Sequence, residues 1–188
     1  LREIYLPAFE ASVKEAKAYA IMGAYNKFRG EYLCENDYML NKILRDEWGF
    51  KGVVVSDWAA VHSTVKSLNN GLDIEMGTPK PFNEFFFADK LIADAKAGKI
   101  SESQIDVHVK RILRVLFQVK AMGGKERAKG SIATEAHYQD AYKIAAEAIV
   151  LLKNENNALP LKLDGVKSIA VIGNNATKKN RSEERRVG

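Results

Sequence analysis

Apolar residues recur at helical spacing from Arg2 to about Ala18, at Ile4, Ala8, Val13 and Ala16, with Pro7 tolerable only at an early turn or kink. The short apolar run Tyr19 to Tyr25 suits a buried strand. Asn36 can cap a helix whose core face is Met39, Leu40, Ile43 and Leu44, and Gly49 is its natural stop. Val53-Val54-Val55 has no polar alternation, the pattern of a strand covered on both faces in a parallel sheet. A helix from about Trp58 to Leu68, a third short strand over Leu72 to Met76 and a helix over roughly Phe82 to Ala97 follow. Ser101-Glu-Ser-Gln104 has capping-box spacing and opens a long amphipathic helix on Ile105, Val109, Ile112, Leu113 and Leu116. Strand and helix alternating at this pace predict a parallel α/β fold.

The glycine-rich polar stretch Gly123 to Gly130 interrupts the alternation as an interdomain linker. Beyond it the pattern predicts a helix from Thr134 to about Ala148, then strands over Ile149 to Leu152 and Ser168 to Ile172. Two strands and one helix cannot close a core, so this second unit is expected to be the truncated start of a domain. The first unit, with three strands, resembles a slice of a barrel that when complete takes ~250 residues. The expected organisation is therefore 1–122 as the C-terminal portion of a (β/α)8-type barrel, 123–130 as linker, 131–177 as the start of an α/β sandwich, and 178–188 as a basic tail.

Composition narrows the function classes. No apolar run approaches the ~20 residues of a membrane span. Leu1-Arg-Glu-Ile-Tyr-Leu6 has neither an initiating methionine nor a signal-peptide pattern and resembles the middle of a helix, as expected of a chain starting inside a larger protein. Cys34 is the only cysteine, which excludes an internal disulfide and a cysteine-rich zinc site. The net charge of +5 suggests a polyanion partner until it is located. Lys178, Lys179, Arg181, Arg185 and Arg186 stand against Glu183 and Glu184, so the tail holds +3 of the +5. A solvated end is the plainer account of it than a nucleic-acid arm.

In a parallel barrel, side chains at the C-terminal ends of strands face the active site. Tyr25 and Asn26 follow the first strand, Asp57 the second, and Asp73 or Glu75 lies on the third. A strand-end carboxylate beside a tryptophan suits glycoside chemistry, in which the carboxylate attacks the anomeric carbon and water opens the covalent intermediate. The same residues admit a plainer account. Ser56 and Asp57 precede an expected helix and are ordinary N-caps, Trp58 and Tyr25 can be packing residues, and Asp73 or Glu75 satisfied internal carboxylates. From spacing alone the cap is the stronger alternative for Asp57.

Met22-Gly-Ala-Tyr-Asn26, Leu40-Asn-Lys-Ile-Leu-Arg-Asp-Glu-Trp-Gly-Phe50, Gly52-Val-Val-Val-Ser-Asp-Trp58 and Gly71-Leu-Asp-Ile-Glu-Met76 together resemble glycoside hydrolase family 3, the β-glucosidase and β-xylosidase group. Leu151-Leu-Lys-Asn154, Leu159-Pro-Leu161 and Ile169-Ala-Val-Ile-Gly173 extend the likeness in order to about residue 177. The resemblance implies a barrel followed by an α/β sandwich. It makes Asp57 the nucleophile, Tyr25 the residue that orients it, and Trp58 and Met22 part of the sugar site. It implies a β-glucoside or oligosaccharide substrate, no metal or organic cofactor, and no nucleic-acid or membrane partner. In the family, a Lys-His pair and the Asp and Arg that hold the glycone come from strands expected before residue 1. The acid/base glutamate comes from sandwich sequence expected beyond residue 188. The 188 residues alone are then expected to be inactive.

The likeness fades after Ala176 or Thr177, and 178–188 offers no apolar stripe for the helix that should follow. That stretch is expected to be foreign to the gene; an open frame running through it into a complete sandwich domain would overturn this. Three other classes compete, the weakest of them a salt-dependent nucleic-acid binder that rests on the tail alone. A non-catalytic carbohydrate-binding relative of the same fold would lack the Lys-His pair or the sandwich glutamate. A nucleotide-binding α/β protein is prompted by Ile169 to Gly173, which offers one glycine where a dinucleotide fingerprint needs three.

Overall fold

The computed structural model describes residues 1–77, 80–124, 129–174 and 176–178. The chain divides into two units, Leu1–Lys129 and Gly130–Gly188. The first is an α/β unit in the order α1 (Pro7–Lys14), β1 (Ala20–Gly23), a small hairpin of β2 (Lys27–Phe28) and β3 (Glu31–Tyr32), a wide-wound π-helix (Tyr38–Glu47), β4 (Val53–Ser56), α2 (Val65–Asn69), α3 (Asp89–Lys96) and α4 (Glu102–Gln118).

β1 and β4 pair in parallel, Ala20 opposite Val53 through to Gly23 opposite Ser56, so both strands end side by side. The helical crossover between them is what a parallel pair requires, because a tight turn cannot return the chain in the same direction. Val53 and Val54 are buried, as their unbroken apolar run predicts. The third expected strand forms only a single parallel bridge, Ile74 against Val55. Its ladder stops because the Met76 N–H turns to the Ser56 hydroxyl at 2.8 Å instead of a strand carbonyl.

The crossover helix begins where expected. The Asn36 side-chain oxygen accepts the Met39 N–H at 2.9 Å. Leu40, Ile43 and Leu44 pack into the main apolar cluster with Trp48, Phe50, Val54 and Leu72. The Trp48 N–H bonds the Ile43 carbonyl at 3.1 Å, and the helix ends at Gly49, whose φ of +71° suits glycine.

Several expected elements are shorter. α1 starts only at Pro7, where the missing N–H costs no helical bond. The helix expected from Trp58 begins at Val65, because the chain first turns tightly through Ala59, whose φ is +53°. The helix expected over 82–97 is a 3₁₀ turn at Phe82–Glu84 and then α3, with the backbone of Phe86 and Phe87 bonded to distant side chains between them. On α4 the capping box is present, with the Gln104 N–H to the Ser101 hydroxyl at 3.3 Å and the Ser101 N–H to the Gln104 side chain at 2.8 Å. Its inward face runs through Ile105, His108 and Ile112, whereas Val109 and Leu113 point to solvent.

The second unit holds α5 (Glu135–Glu147), capped by the Thr134 hydroxyl. The strands expected at Ile149–Leu152 and Ser168–Ile172 do not form among its described residues. A strand exists only through hydrogen bonds to a neighbour, and these segments have none beside them; Leu152 and Ile172 are almost fully exposed. Residues 125–128 of the expected linker and 179–188 of the basic tail lie outside the described residues.

Candidate active site

The parallel register brings the C-terminal ends of β1 and β4 together with the segment after Ile74. Met22 lies on β1 and is 58% exposed; Tyr25, two residues past its end, is half-exposed. Asp57 follows Ser56 directly and is 7% exposed, whereas the adjacent Trp58 is 45% exposed. A shielded carboxyl-bearing residue therefore stands next to an open indole. Asn26, the other polar residue past β1, accepts the Leu33 N–H through its carbonyl at 3.0 Å and so closes the β2–β3 hairpin.

The backbone of Asp57 is held at both of its polar groups. Its N–H donates to the Gly23 carbonyl at 3.0 Å, and its carbonyl accepts the Ala60 N–H at 3.3 Å. Both Tyr25 and Asp57 interact with other groups of the protein. Beneath this strand end, burial pushes the Cys34 thiol up to about 12, a rise only partly offset by the Asp57 backbone N–H beside the sulfur. Neither Ser56 nor Asp57 caps the following helix, which starts at Val65.

Asp73 plays no part at this end of the strands. Its carboxylate accepts from Arg45 Nη2 at 2.6 Å, the Val54 N–H at 2.8 Å and Arg111 Nη1 at 3.0 Å, and it lies 2.7 Å from His108 Nδ1. Burial pushes the carboxyl up, but His108, Arg45, the Val54 N–H and Arg111 together hold it below the usual aspartate range. Arg45 also donates to the carbonyls of Gly52 and Gly71, at 3.2 and 3.1 Å. The arginine thus ties the residues leading into β4 and the third segment to the crossover helix. Arg45, His108 and Arg111 were not singled out in the sequence as partners of Asp73. A trace existed in His108 and Arg111, which stand three apart among the apolar positions of α4.

Glu75 is half-buried and accepts the Phe87 N–H at 2.7 Å. Burial raises its carboxyl above the usual range despite the bonds from Phe87 and Phe86. Nearby, Tyr32 of β3 stacks on His62, ring centres 3.6 Å apart, with the Lys27 ammonium 4.4 Å from the Tyr32 ring. Among the described residues no cluster of histidine, cysteine, aspartate or glutamate side chains is arranged to hold a metal ion. The chemistry this end offers is that of a carboxylate acting next to an aromatic face.

Comparison with known proteins shows the family. The family model described as glycosyl hydrolase family 3 N terminal domain matches residues 1–115. Thermostable beta-glucosidase B of Acetivibrio thermocellus is 44% identical over 173 residues, which cover 92% of this chain and 22% of that protein. Beta-glucosidase BoGH3A of Bacteroides ovatus is 38% identical over 192 residues, covering 95% of this chain and 25% of its own length. Among solved structures, DesR, a beta-glucosidase from Streptomyces venezuelae in complex with D-glucose, superposes with a TM-score of 0.73 at 35% identity, over 86% of this chain and 22% of that one. The chain thus spans a quarter or less of the length of these relatives.

Proposed function

The chain belongs to glycosyl hydrolase family 3, and from that premise we propose that it carries the nucleophile half of a retaining β-glycosidase site, with a β-glucoside as substrate. On this reading the first unit is the C-terminal part of a (β/α)8 barrel and the second the start of an α/β sandwich. The observation that carries the proposal is the contrast at one strand end, Asp57 almost wholly shielded and Trp58 beside it open.

Asp57 attacks the anomeric carbon, and the leaving oxygen departs with a proton from a general acid. The covalent glycosyl-enzyme is then opened by water, which the same residue, now a base, deprotonates. The Asp57 N–H bond to Gly23 holds the backbone of the nucleophile, the Tyr25 hydroxyl orients its carboxylate, and Trp58 and Met22 wall the sugar ring. Holding a nucleophile in attack geometry is worth several kcal/mol of barrier. Retention needs a second carboxyl group about 5 Å from the first. We assign that role to no glutamate of this chain, so the 188 residues by themselves hydrolyse no glycoside.

A 2-deoxy-2-fluoro-glucoside, which slows opening of the covalent intermediate, tests the assignment in the full-length enzyme. Mass spectrometry of the digest should find the sugar on the peptide carrying Asp57. Asp57→Ala should lower kcat by orders of magnitude while leaving the circular dichroism spectrum unchanged. A sugar on any other carboxylate refutes the assignment.

A further inference from the structure

The break in the helix expected over 82–97 has a specific cause. Glu75 Oε2 takes the Phe87 N–H at 2.7 Å, and the Thr64 hydroxyl donates to the Phe86 carbonyl at 3.1 Å. Both side chains come from segments that leave the candidate active site: Glu75 directly follows Ile74, and Thr64 closes the loop that begins at Asp57. One dipeptide is therefore clasped from two sides, which keeps its backbone out of a helix. Between this clasped segment and the loop after Asp57 lies an open cleft of about 200 Å³. His62, Glu75, Lys80, Glu84, Phe85 and Phe86 line it. Its volume falls below the ~300–1,000 Å³ of drug-sized ligand pockets, so it has room for a single small ring. Aromatic faces next to charged donors and acceptors suit a pyranose, whose C–H face is apolar and whose rim is hydroxylated.

We infer that Glu75 is a positioning residue for the leaving group: by clasping Phe86 and Phe87 it sets the wall of this cleft, and the cleft receives the sugar released in the first step. The inference rests on the reading of Asp57 as nucleophile. Neither Glu75 nor Thr64 is placed at the reacting atoms; Thr64 acts only through the position of the phenylalanine segment, whereas Glu75 positions that segment and also lines the cleft.

The test compares two substrates of the full-length enzyme. Cellobiose has a glucose leaving group that must occupy the cleft, whereas β-glucosyl fluoride releases an ion that does not. Active sites are counted with the fluoro-glucoside trap, so that misfolded protein does not enter the rates. The ratio of kcat/KM on cellobiose to that on the fluoride should fall about tenfold in Glu75→Ala, the scale on which one altered pocket contact discriminates between ligands. Thr64→Val, which removes the other half of the clasp, should move the ratio in the same direction. Glu75→Gln keeps an oxygen for the Phe87 N–H and should stay within about twofold of wild type. A ratio that stays flat in both Glu75→Ala and Thr64→Val overturns the inference, and Thr64→Val decides alone if Glu75→Ala does not fold. Wild-type trapping separates the two claims: a label away from Asp57 sinks the nucleophile and the inference together, while a label on Asp57 with a flat ratio sinks only the inference.

Discussion

The Cys34 thiol donates to the Gly23 carbonyl at 3.5 Å and stands where a β-carbon on residue 23 would need to be, only 2.7 Å from the sulfur. The same carbonyl accepts the Asp57 N–H. The space left by a missing side chain on β1 is filled by a buried sulfur, and both meet directly beneath the candidate nucleophile.

Gly23→Ala should therefore destabilise the first unit by about 1–3 kcal/mol, the usual cost of overpacking. It should also lower the turnover of the full-length enzyme, since relief of the clash moves the carbonyl that anchors Asp57. The double variant Gly23→Ala/Cys34→Ala should recover most of the loss, because the sulfur is the group in the way. Urea denaturation of the four proteins of the cycle measures the coupling. Simple additivity would count against the packing argument.

Arg45→Ala should cost about 3 kcal/mol. Breaking a buried ion pair by removing one partner strands the other charge, and the remaining bonds from His108 and Arg111 place the effect at the low end of the usual range. Arg45→Lys should rescue little, since one ammonium cannot reach Asp73, Gly52 and Gly71 together. Equilibrium unfolding checks both, and a loss below about 1 kcal/mol in Arg45→Ala contradicts the role given to this side chain.

Asp73 should make stability fall in acid. Its carboxyl titrates below the ordinary value in the folded protein, so its contribution is complete above the usual aspartate value of about 3.9 and is lost as pH drops below that toward the folded value. Glu75 has the opposite sign. Its raised carboxyl stabilises the fold below the usual glutamate value of about 4.3, and that contribution disappears as pH rises through the raised value. Asp73→Asn should be less stable than wild type at neutral pH yet show a flatter decline in acid. Denaturant midpoints collected from about pH 6 down to about pH 3 span the aspartate value. Parallel curves for the two proteins would remove Asp73 as the cause.

Trp58→Ala should raise KM for a β-glucoside about tenfold, the equivalent of 1.4 kcal/mol, through loss of the face on which the sugar rests. Asp57 should remain the residue labelled by the fluoro-glucoside, and Trp58→Phe should recover most of the affinity. Initial-rate measurements on the full-length enzyme decide this, and an unchanged KM would make the indole a bystander.

Much of the fold was legible because its causes are local. The capping box of Ser101 and Gln104, the Asn36 cap with its bond to Met39, and the stop at Gly49 each involve groups a few residues apart, so their spacing in the chain already states the hydrogen bond. The uninterrupted valines of β4 likewise announce burial on both faces. The family motifs supplied the candidate roles of Asp57, Tyr25, Trp58 and Met22, where spacing alone favoured a helix cap for Asp57.

What the chain by itself determined, then, was the kind of elements, their order and the motif that marks the strand end. Tertiary structure decided where the elements stop and what the charged residues do. Phe87 leaves its helix because Glu75, twelve residues back, takes its N–H, and α4 turns His108 inward because Asp73 lies across the unit from it. Segments 149–152 and 168–172 were expected as strands from their apolar pattern, and among the described residues they form none, because strand hydrogen bonds need a neighbour that no local pattern can supply. Asp57 follows the same rule: spacing alone favoured a helix cap over a nucleophile, and the late start of α2 at Val65 removes the cap.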